Sequence, residues 1–162
     1  MKNNPSHLPP FGVCLFILSF ILLSSCYNWT LSPELVGTWE SENTEITVRT
    51  KTAEKEWIFI TDSARISVTI LADQRVTGSI GDATFDKGKI RKNAGNPEKR
   101  SLTEIIECGS IGKIFESDPE ESKDVQLWLS PLEDHTIDTE LRFTGGMAQF
   151  PMAGFILKKV GD

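Results

Sequence analysis

Apolar and polar residues alternate along most of the chain after residue 34, in short stretches separated by turn-forming residues. Residues 45–49 and 65–70 place β-branched apolar side chains on one face and polar side chains on the other, which is typical of a half-buried β-strand. Residues 93–97, which contain asparagine, glycine and proline, form a clear break between such stretches. The pattern contains about nine or ten strands and no long helical period. It predicts an all-β fold, an antiparallel meander barrel, with a β-sandwich as the alternative.

One stretch departs from the alternation, because Trp57, Ile58, Phe59 and Ile60 are apolar at every position. Successive side chains of a strand point to opposite faces, so both faces of this strand are apolar. We therefore expect the stretch to be covered on both sides or to line a cavity.

A different kind of apolar segment, residues 11–23, lies near the amino terminus after Lys2. A helix needs about 20 apolar residues to cross the hydrocarbon core of a bilayer, so this segment is too short to span one. Its length suits the apolar core of a signal peptide. The small residues Ser24 and Ser25 follow it and fit the narrow cleft of a signal peptidase, and Cys26 comes next.

This order resembles the signal peptide of a bacterial lipoprotein, with Leu23-Ser24-Ser25-Cys26 as the lipobox. The resemblance implies cleavage before Cys26 and attachment of acyl chains such as palmitate to that residue. Two or more acyl chains give stable membrane anchoring. An ordinary secretory signal or an uncleaved anchor is the alternative.

The lipoprotein resemblance also implies a location and a domain order. Tyr27 follows the cysteine, and no aspartate stands there to act as an inner-membrane retention signal. We therefore expect a protein of the bacterial cell envelope, anchored in the outer membrane and facing the periplasm. The predicted order is a signal peptide at 1–25, a lipidated tether at 26–34 and a β-barrel domain at 35–162.

The start of the predicted domain carries a second resemblance. Ser32 and Pro33 suit the N-cap and first position of one helical turn, and Gly37 and Trp39 follow on the first strand. A Gly-x-Trp after a short helical turn is similar to the opening of lipocalin-like and related calycin barrels. In that family the glycine allows a sharp bend and the tryptophan plugs one end of the barrel, so we expect the same of Gly37 and Trp39.

Charge and cysteine content narrow the function further. The 162-residue chain has a formal net charge of −6, and removal of Lys2 with the leader makes it more negative, which argues against nucleic-acid binding. Of the three cysteines, Cys14 belongs to the leader and Cys26 to the anchor. Cys108 is then left without a partner, and we expect it to be a small buried residue rather than a nucleophile.

Candidate catalytic and metal sites are weak in this sequence. His135 lies beside Asp134 and near Asp138, but a zinc site needs three or four well-placed ligands. No Gly-x-Ser-x-Gly elbow is present to position a nucleophilic serine. We therefore predict no catalytic residues, no metal and no cofactor, and an envelope hydrolase is the least favoured function.

A cluster of basic residues contrasts with the acidic composition of the chain. Alternation places Lys87, Lys89 and Arg91 on one strand face, where anionic headgroups or an acidic partner could bind. The alternative is a charged strand face that discourages edge pairing. The full cluster comprises Lys87, Lys89, Arg91, Lys92, Lys99 and Arg100.

Residues 143–155 are apolar but interrupted by glycine and proline, so regular structure throughout is not expected. Met147, Phe150 and Met152 would suit a flexible lid over an apolar ligand, because methionine adapts to irregular shapes. The alternative is that these residues fold over one end of the barrel and seal its core.

Two binding functions follow from these patterns. The first is a hollow barrel that binds a small apolar or amphipathic ligand, with Phe59, Met147 and Phe150 as the first expected contacts. The second is a filled barrel that docks onto another envelope protein. Trp128 favours the second, because alternation places it on an outer face while Leu127 and Leu129 face the core.

Overall fold

A computed structural model of the protein describes residues 29–93, 104–119, 122–132, 134–144 and 150–161, with only the backbone at 150 and 151. The chain divides into two compact units, Met1–Thr30 and Leu31–Asp162, and the second is described below. The predicted signal peptide, Cys26 and Met147 lie outside the described residues, as do Lys99 and Arg100. The predictions made for them stay predictions.

The described residues of the second unit form one short 3₁₀ turn and ten β-strands. The turn, η1, spans Pro33–Leu35 and precedes the first strand. The strands are β1 (Gly37–Glu40), β2 (Thr44–Lys51), β3 (Trp57–Ala64), β4 (Ile66–Ile70), β5 (Arg75–Ile80), β6 (Ala83–Lys92), β7 (Glu104–Ile111), β8 (Lys123–Pro131), β9 (Thr136–Phe143) and β10 (Phe150–Gly161).

Eight of these strands form a closed antiparallel barrel. Strands β4 to β10 follow one another as a meander, and β1 closes the barrel by pairing with both β4 and β10. Strands β2 and β3 lie outside this order and form a separate two-stranded hairpin between β1 and β4. The predicted all-β meander barrel is confirmed, together with the expected number of strands.

The alternation seen in the sequence becomes the inside and outside of the barrel. In β4 the side chains of Ile66, Val68 and Ile70 are at most 1% exposed, while the residues between them are half-buried. Strand β8 behaves in the same way, with Leu127 and Leu129 fully buried. A strand of a small barrel presents every second residue to the interior, so the period of two places the core directly.

One end of the barrel, called the entry end, is where the chain enters at η1 and where the β4–β5 and β8–β9 turns lie. Trp39 is 3% exposed there, and its indole Nε1–H donates to the Leu35 carbonyl oxygen at 2.9 Å. Gly37 has a φ of 132°, and a Cβ at this position would lie 2.5 Å from the Gly161 carbonyl oxygen. The bend expected at Gly37 and the plug expected at Trp39 are both confirmed.

The opposite end, called the hairpin end, carries the β5–β6 turn, residues 112–119 and the β2–β3 hairpin. Strand β2 lies beside β10 without sharing a hydrogen-bonded ladder with it. Ile46, Val48 and Thr50 form the inner face of β2, and all three are fully buried. The hairpin therefore completes the core of the domain at this end.

The outer face of the hairpin corrects one prediction. Trp57 is 47% exposed and Phe59 is 68% exposed, so the apolar stretch 57–60 is not covered on both faces and does not line an interior cavity. Only one face of a two-stranded hairpin can pack against the barrel, and β3 presents its aromatic residues on the other face.

The Trp39 plug gives a stability prediction. Replacing Trp39 by alanine removes a buried indole and its hydrogen bond, and we expect a loss of about 3–5 kcal/mol in the free energy of unfolding. Urea denaturation followed by circular dichroism measures this loss. Trp57→Ala is the matched control, since Trp57 is half exposed, and equal losses for the two variants would contradict the assignment of Trp39 as the plug.

Candidate interaction surface

The interior of the barrel is occupied by its own side chains. Ile106, Leu127, Ile137 and Leu141 are fully buried on three neighbouring strands, β7, β8 and β9. Ile90 on β6 and Leu157 on β10 are at most 2% exposed. Branched aliphatic side chains of this size fill the cross-section of an eight-stranded barrel.

A small cavity of about 190 Å³ lies at the entry end. Trp39, Leu35 and Ile137 form its apolar wall, and Glu104 and His135 add polar groups. Drug-sized ligands occupy pockets of about 300–1,000 Å³, so this cavity is small for the lipophilic ligand that the carrier hypothesis requires.

A larger groove of about 800 Å³ lies at the hairpin end, open to solvent between the hairpin and residues 114–117. Ser67 and Ser79, which face each other on β4 and β5, form its floor. Asp62 and Asp82 stand at its sides, and Arg65 is paired with Glu40. Most of the lining residues are polar or charged, which does not suit an apolar ligand.

An ion pair buried at the hairpin end connects three segments of the chain. Lys123 Nζ, at the start of β8, lies 3.0 Å from Asp118 Oδ2, and both side chains have no exposed surface. Lys123 Nζ also donates to the Thr50 hydroxyl at 3.5 Å, on the inner face of β2. Charges are costly to bury, so this pair requires its partners to stay in place and ties the hairpin to the barrel.

The outer face of the hairpin combines aromatic and cationic side chains; we call it the aromatic face and define it as Arg49, Lys51, Trp57 and Phe59. The Arg49 guanidinium lies 4.1 Å from the Trp57 ring centroid, and Lys51 Nζ lies 4.6 Å from it. The β2–β3 register places Lys51 opposite Trp57 and Arg49 opposite Phe59. The two cations therefore contact one ring and leave Phe59 largely free.

The face of β8 that contains Trp128 is less open. Trp128 is half-buried, and its Nε1–H donates to Gln126 Oε1 at 3.0 Å. The Arg142 guanidinium lies 4.0 Å from the Trp128 ring centroid and is itself paired with Glu140. The predicted orientation of Trp128 is confirmed, but its polar group and one ring face already have partners within the domain.

The basic strand face also has the predicted orientation. Lys87, Lys89 and Arg91 are all exposed on β6. Arg91 is paired with Glu107 of the neighbouring strand at 2.8 Å, and Arg75 on the other side is paired with Asp73. Part of the positive charge of this face is thus neutralised by adjacent carboxylates.

Cys108 and His135, the two candidates for chemistry, lie in different surroundings. Cys108 is 3% exposed, as expected for a small core residue, and burial raises the pKa of its thiol well above the usual range. His135 is exposed on the β8–β9 turn with a φ of 58°. Beside it, the Thr136 hydroxyl lowers the pKa of Asp134 by donating to the carboxylate. Within the described ranges, no group of three or more histidine, cysteine or carboxylate side chains is arranged to hold a metal ion.

Of the three residues predicted to contact an interior ligand, the structure describes the side chain of Phe59 alone. Phe59 is 68% exposed on the hairpin and does not line the barrel interior, and its role as a ligand contact stays a prediction. Phe150 begins β10, and the structure describes only its backbone. Met147 is not among the described residues. Met152 on β10 is 5% exposed and packs as a core residue.

Sequence reasoning missed the ion pair between Lys123 and Asp118. Both residues lie in an acidic, lysine-containing segment that has the composition of a solvated loop, and nothing in the local pattern distinguishes them from surface charges. One signal does place Lys123 inward. It begins an alternating strand and falls on the same face as Val125 and Leu127, which belong to the core.

No protein-family model matches this chain, and no curated protein or solved structure matches it either. Across the described ranges, no helix has the length and apolar character needed to cross a bilayer.

The buried ion pair gives a second stability prediction. Lys123→Met leaves the Asp118 carboxylate buried without its cation, and we expect a loss of about 3–5 kcal/mol in the free energy of unfolding. The double variant Lys123→Met with Asp118→Leu removes both charges and is expected to regain most of that loss. Chemical denaturation of the two variants measures the difference.

The matched control for that experiment is the surface pair between Glu42 and Lys158, whose side chains are 82% and 60% exposed and whose charged atoms lie 2.8 Å apart. Solvent screens such a pair, so Lys158→Met should change stability little. A loss from Lys123→Met no larger than that of the control would contradict the role assigned to the buried pair.

Proposed function

We propose that the protein is a lipid-anchored, non-catalytic interaction module of the bacterial cell envelope. In this proposal acyl chains on Cys26 hold the protein at the membrane, and the barrel displays a binding surface to another envelope protein.

The order of features at the amino terminus supports the anchor. A short apolar segment, two serines and Cys26 precede the barrel directly, and Leu31 is already buried in it. Four residues lie between Cys26 and Leu31, and the five steps of an extended chain between them reach about 18 Å at most. An acylated Cys26 would therefore keep the entry end of the barrel close to the membrane.

The hairpin lies at the other end of the barrel. Strand β10 has twelve residues and runs from the hairpin end to the entry end, which corresponds to about 30–40 Å. A barrel anchored by its entry end would present the hairpin away from the membrane, where an envelope partner can reach it.

The observation that carries the choice of an interaction module is the contrast between interior and surface. The inward-facing branched aliphatic side chains of the barrel strands are at most 2% exposed, whereas on the hairpin Trp57 is 47% exposed and Phe59 is 68% exposed. Exposed aromatic residues beside cations are typical of protein-binding surfaces. A carrier of apolar molecules would instead place its aromatic residues around an internal cavity.

The anchor is tested with Cys26→Ala in the full-length chain expressed in a bacterium. We expect the protein to move from the membrane fraction to the soluble fraction, because no sulfur remains for acylation. Cys14→Ala is the matched control, since it changes a cysteine ahead of the predicted cleavage site, and it should leave the protein in the membrane fraction. Retention of Cys26→Ala in the membrane would contradict lipid anchoring.

The choice between interaction module and carrier is tested by native mass spectrometry of the detergent-solubilised full-length protein. We expect the chain to carry no bound mass beyond its covalent acyl groups. A reproducible, stoichiometric, non-covalent mass of lipid size would favour the binding of a small apolar or amphipathic ligand instead.

A further inference from the structure

The outer edge of β3 is open to pairing along its apolar half. Within the described part of the chain, β3 forms a ladder only with β2, from Thr44 opposite Ala64 to Lys51 opposite Trp57. An edge strand presents a row of backbone donors and acceptors to solvent. Natural edge strands carry proline, bulges or central charges that prevent pairing, and residues 57–61 contain none of these.

The hairpin geometry shows which backbone groups face that edge. The Thr52 N–H donates to the Glu56 carbonyl oxygen at 2.9 Å, which makes these two residues a hydrogen-bonded pair. Such pairs alternate with non-hydrogen-bonded pairs along an antiparallel ladder. Ile58 and Ile60 therefore direct their backbone groups to β2, while Trp57, Phe59 and Thr61 direct theirs to the open edge.

The Ser63 N–H supports this alternation and marks where the open edge ends. Ser63 has the same parity as Phe59 and Thr61, and its N–H donates to Asp62 Oδ1 at 2.7 Å rather than to β2. The Asp62 carboxylate thus already accepts the hydrogen bond of the Ser63 N–H, which is the next donor along the edge. The pairing segment is residues 57–61.

We propose that this segment pairs antiparallel with the same segment of a second copy of the chain, with Phe59 opposite Phe59 of that copy. The two hairpins then form one four-stranded sheet in the order β2–β3–β3–β2.

The register follows from the side chains of the segment. With Phe59 on the two-fold axis, Ile58 of each copy lies opposite Ile60 of the other on the inner face. Trp57 lies opposite Thr61 on the outer face, where the two Phe59 rings also meet. Aromatic and β-branched pairs of this kind stabilise neighbouring strands. A register shifted by one position, with Ile58 on the two-fold axis, would place the Glu56 carboxylate opposite Ile60. The pairing of Ile58 with Ile60 would then be lost.

The exposed area suits a weak dimer. Aromatic side chains bury about 150–250 Å² each, so the uncovered parts of Trp57 and Phe59 amount to roughly 200 Å² per copy. With the isoleucines and the paired backbone of both copies, the contact reaches on the order of 1,000 Å², near the lower limit for a specific interface. The dimer should therefore dissociate on dilution.

The proposed register also contains an opposing charge contact. Glu56 of each copy lies opposite Asp62 of the other, at the two ends of the paired segment, and both residues are exposed. Like charges directly opposite each other weaken strand pairing. Added salt should therefore strengthen the dimer by screening these contacts, which is the opposite of what an interface held by ion pairs would show.

The register is tested by disulfide cross-linking of Phe59→Cys in the full-length chain in mild detergent. Hydrogen-bonded antiparallel pairs have Cα atoms about 5.5 Å apart, which a disulfide can bridge. We expect a covalent dimer on a non-reducing gel after mild oxidation, above the background that the unsubstituted chain gives through its own cysteines.

Two cysteine controls separate the proposed pairing from random collision. The first control is Arg49→Cys. Arg49 is on the same outer face as Phe59 but on β2, so the two copies of this position would be about 14 Å apart and should not link. Leu132→Cys lies on the β8–β9 turn at the entry end, where Leu132 is 49% exposed, and should not link either. Equal cross-linking of all three variants would overturn the proposal.

Sedimentation velocity of the detergent-solubilised chain provides the second measurement. Phe59→Lys should weaken dimerisation at least tenfold, because it places two ammonium groups at the centre of the interface. Asp62→Asn should strengthen dimerisation about twofold to tenfold by removing both like-charge contacts while keeping the oxygen that accepts from Ser63. A protein that is monomeric at all concentrations, or a dimer that Phe59→Lys leaves unchanged, would overturn the proposal.

Discussion

The length mismatch between β1 and β10 is the constraint on which the architecture depends. Strand β1 has four residues and pairs only with the last part of β10, from Lys158 to Gly161. The preceding part of β10 has β9 on one side and no β1 partner on the other. A barrel closed by so short a strand leaves its core uncovered at one end, and the chain covers it with the β2–β3 hairpin inserted between β1 and β4.

That position gives the hairpin two different faces. Its inner face supplies Ile46, Val48 and Thr50 to the core, and the Thr50 hydroxyl contacts the buried ammonium group of Lys123. Its outer face carries Trp57 and Phe59, which nothing described in the domain covers fully. The ion pair with Asp118 fixes the hairpin against the barrel, so the exposed aromatic residues are held on a defined strand rather than on a loose loop.

A filled interior and an exposed outer strand assign binding to the surface of the protein. The lipocalin-like resemblance implied a plug at one end of the barrel, and Trp39 has that place and its hydrogen bond. The same resemblance suggested an internal ligand, but branched aliphatic side chains occupy the interior. The Trp128 face offers less free surface than the aromatic face, because Gln126 and Arg142 already contact its ring.

The sequence by itself determined the elements whose physics is local. The period of two placed the core residues of β4 and β8, Gly37 and Trp39 marked the closed end, and the lone Cys108 was assigned to the interior. Tertiary structure alone decided what depends on neighbours distant in the chain. Whether Phe59 is covered depends on which face of the hairpin meets the barrel, and the pattern 57–60, apolar on both faces, cannot specify that. The inward position of Lys123 likewise depends on Asp118 and Thr50 reaching the same point, because a buried ammonium group is stable only where its partners converge.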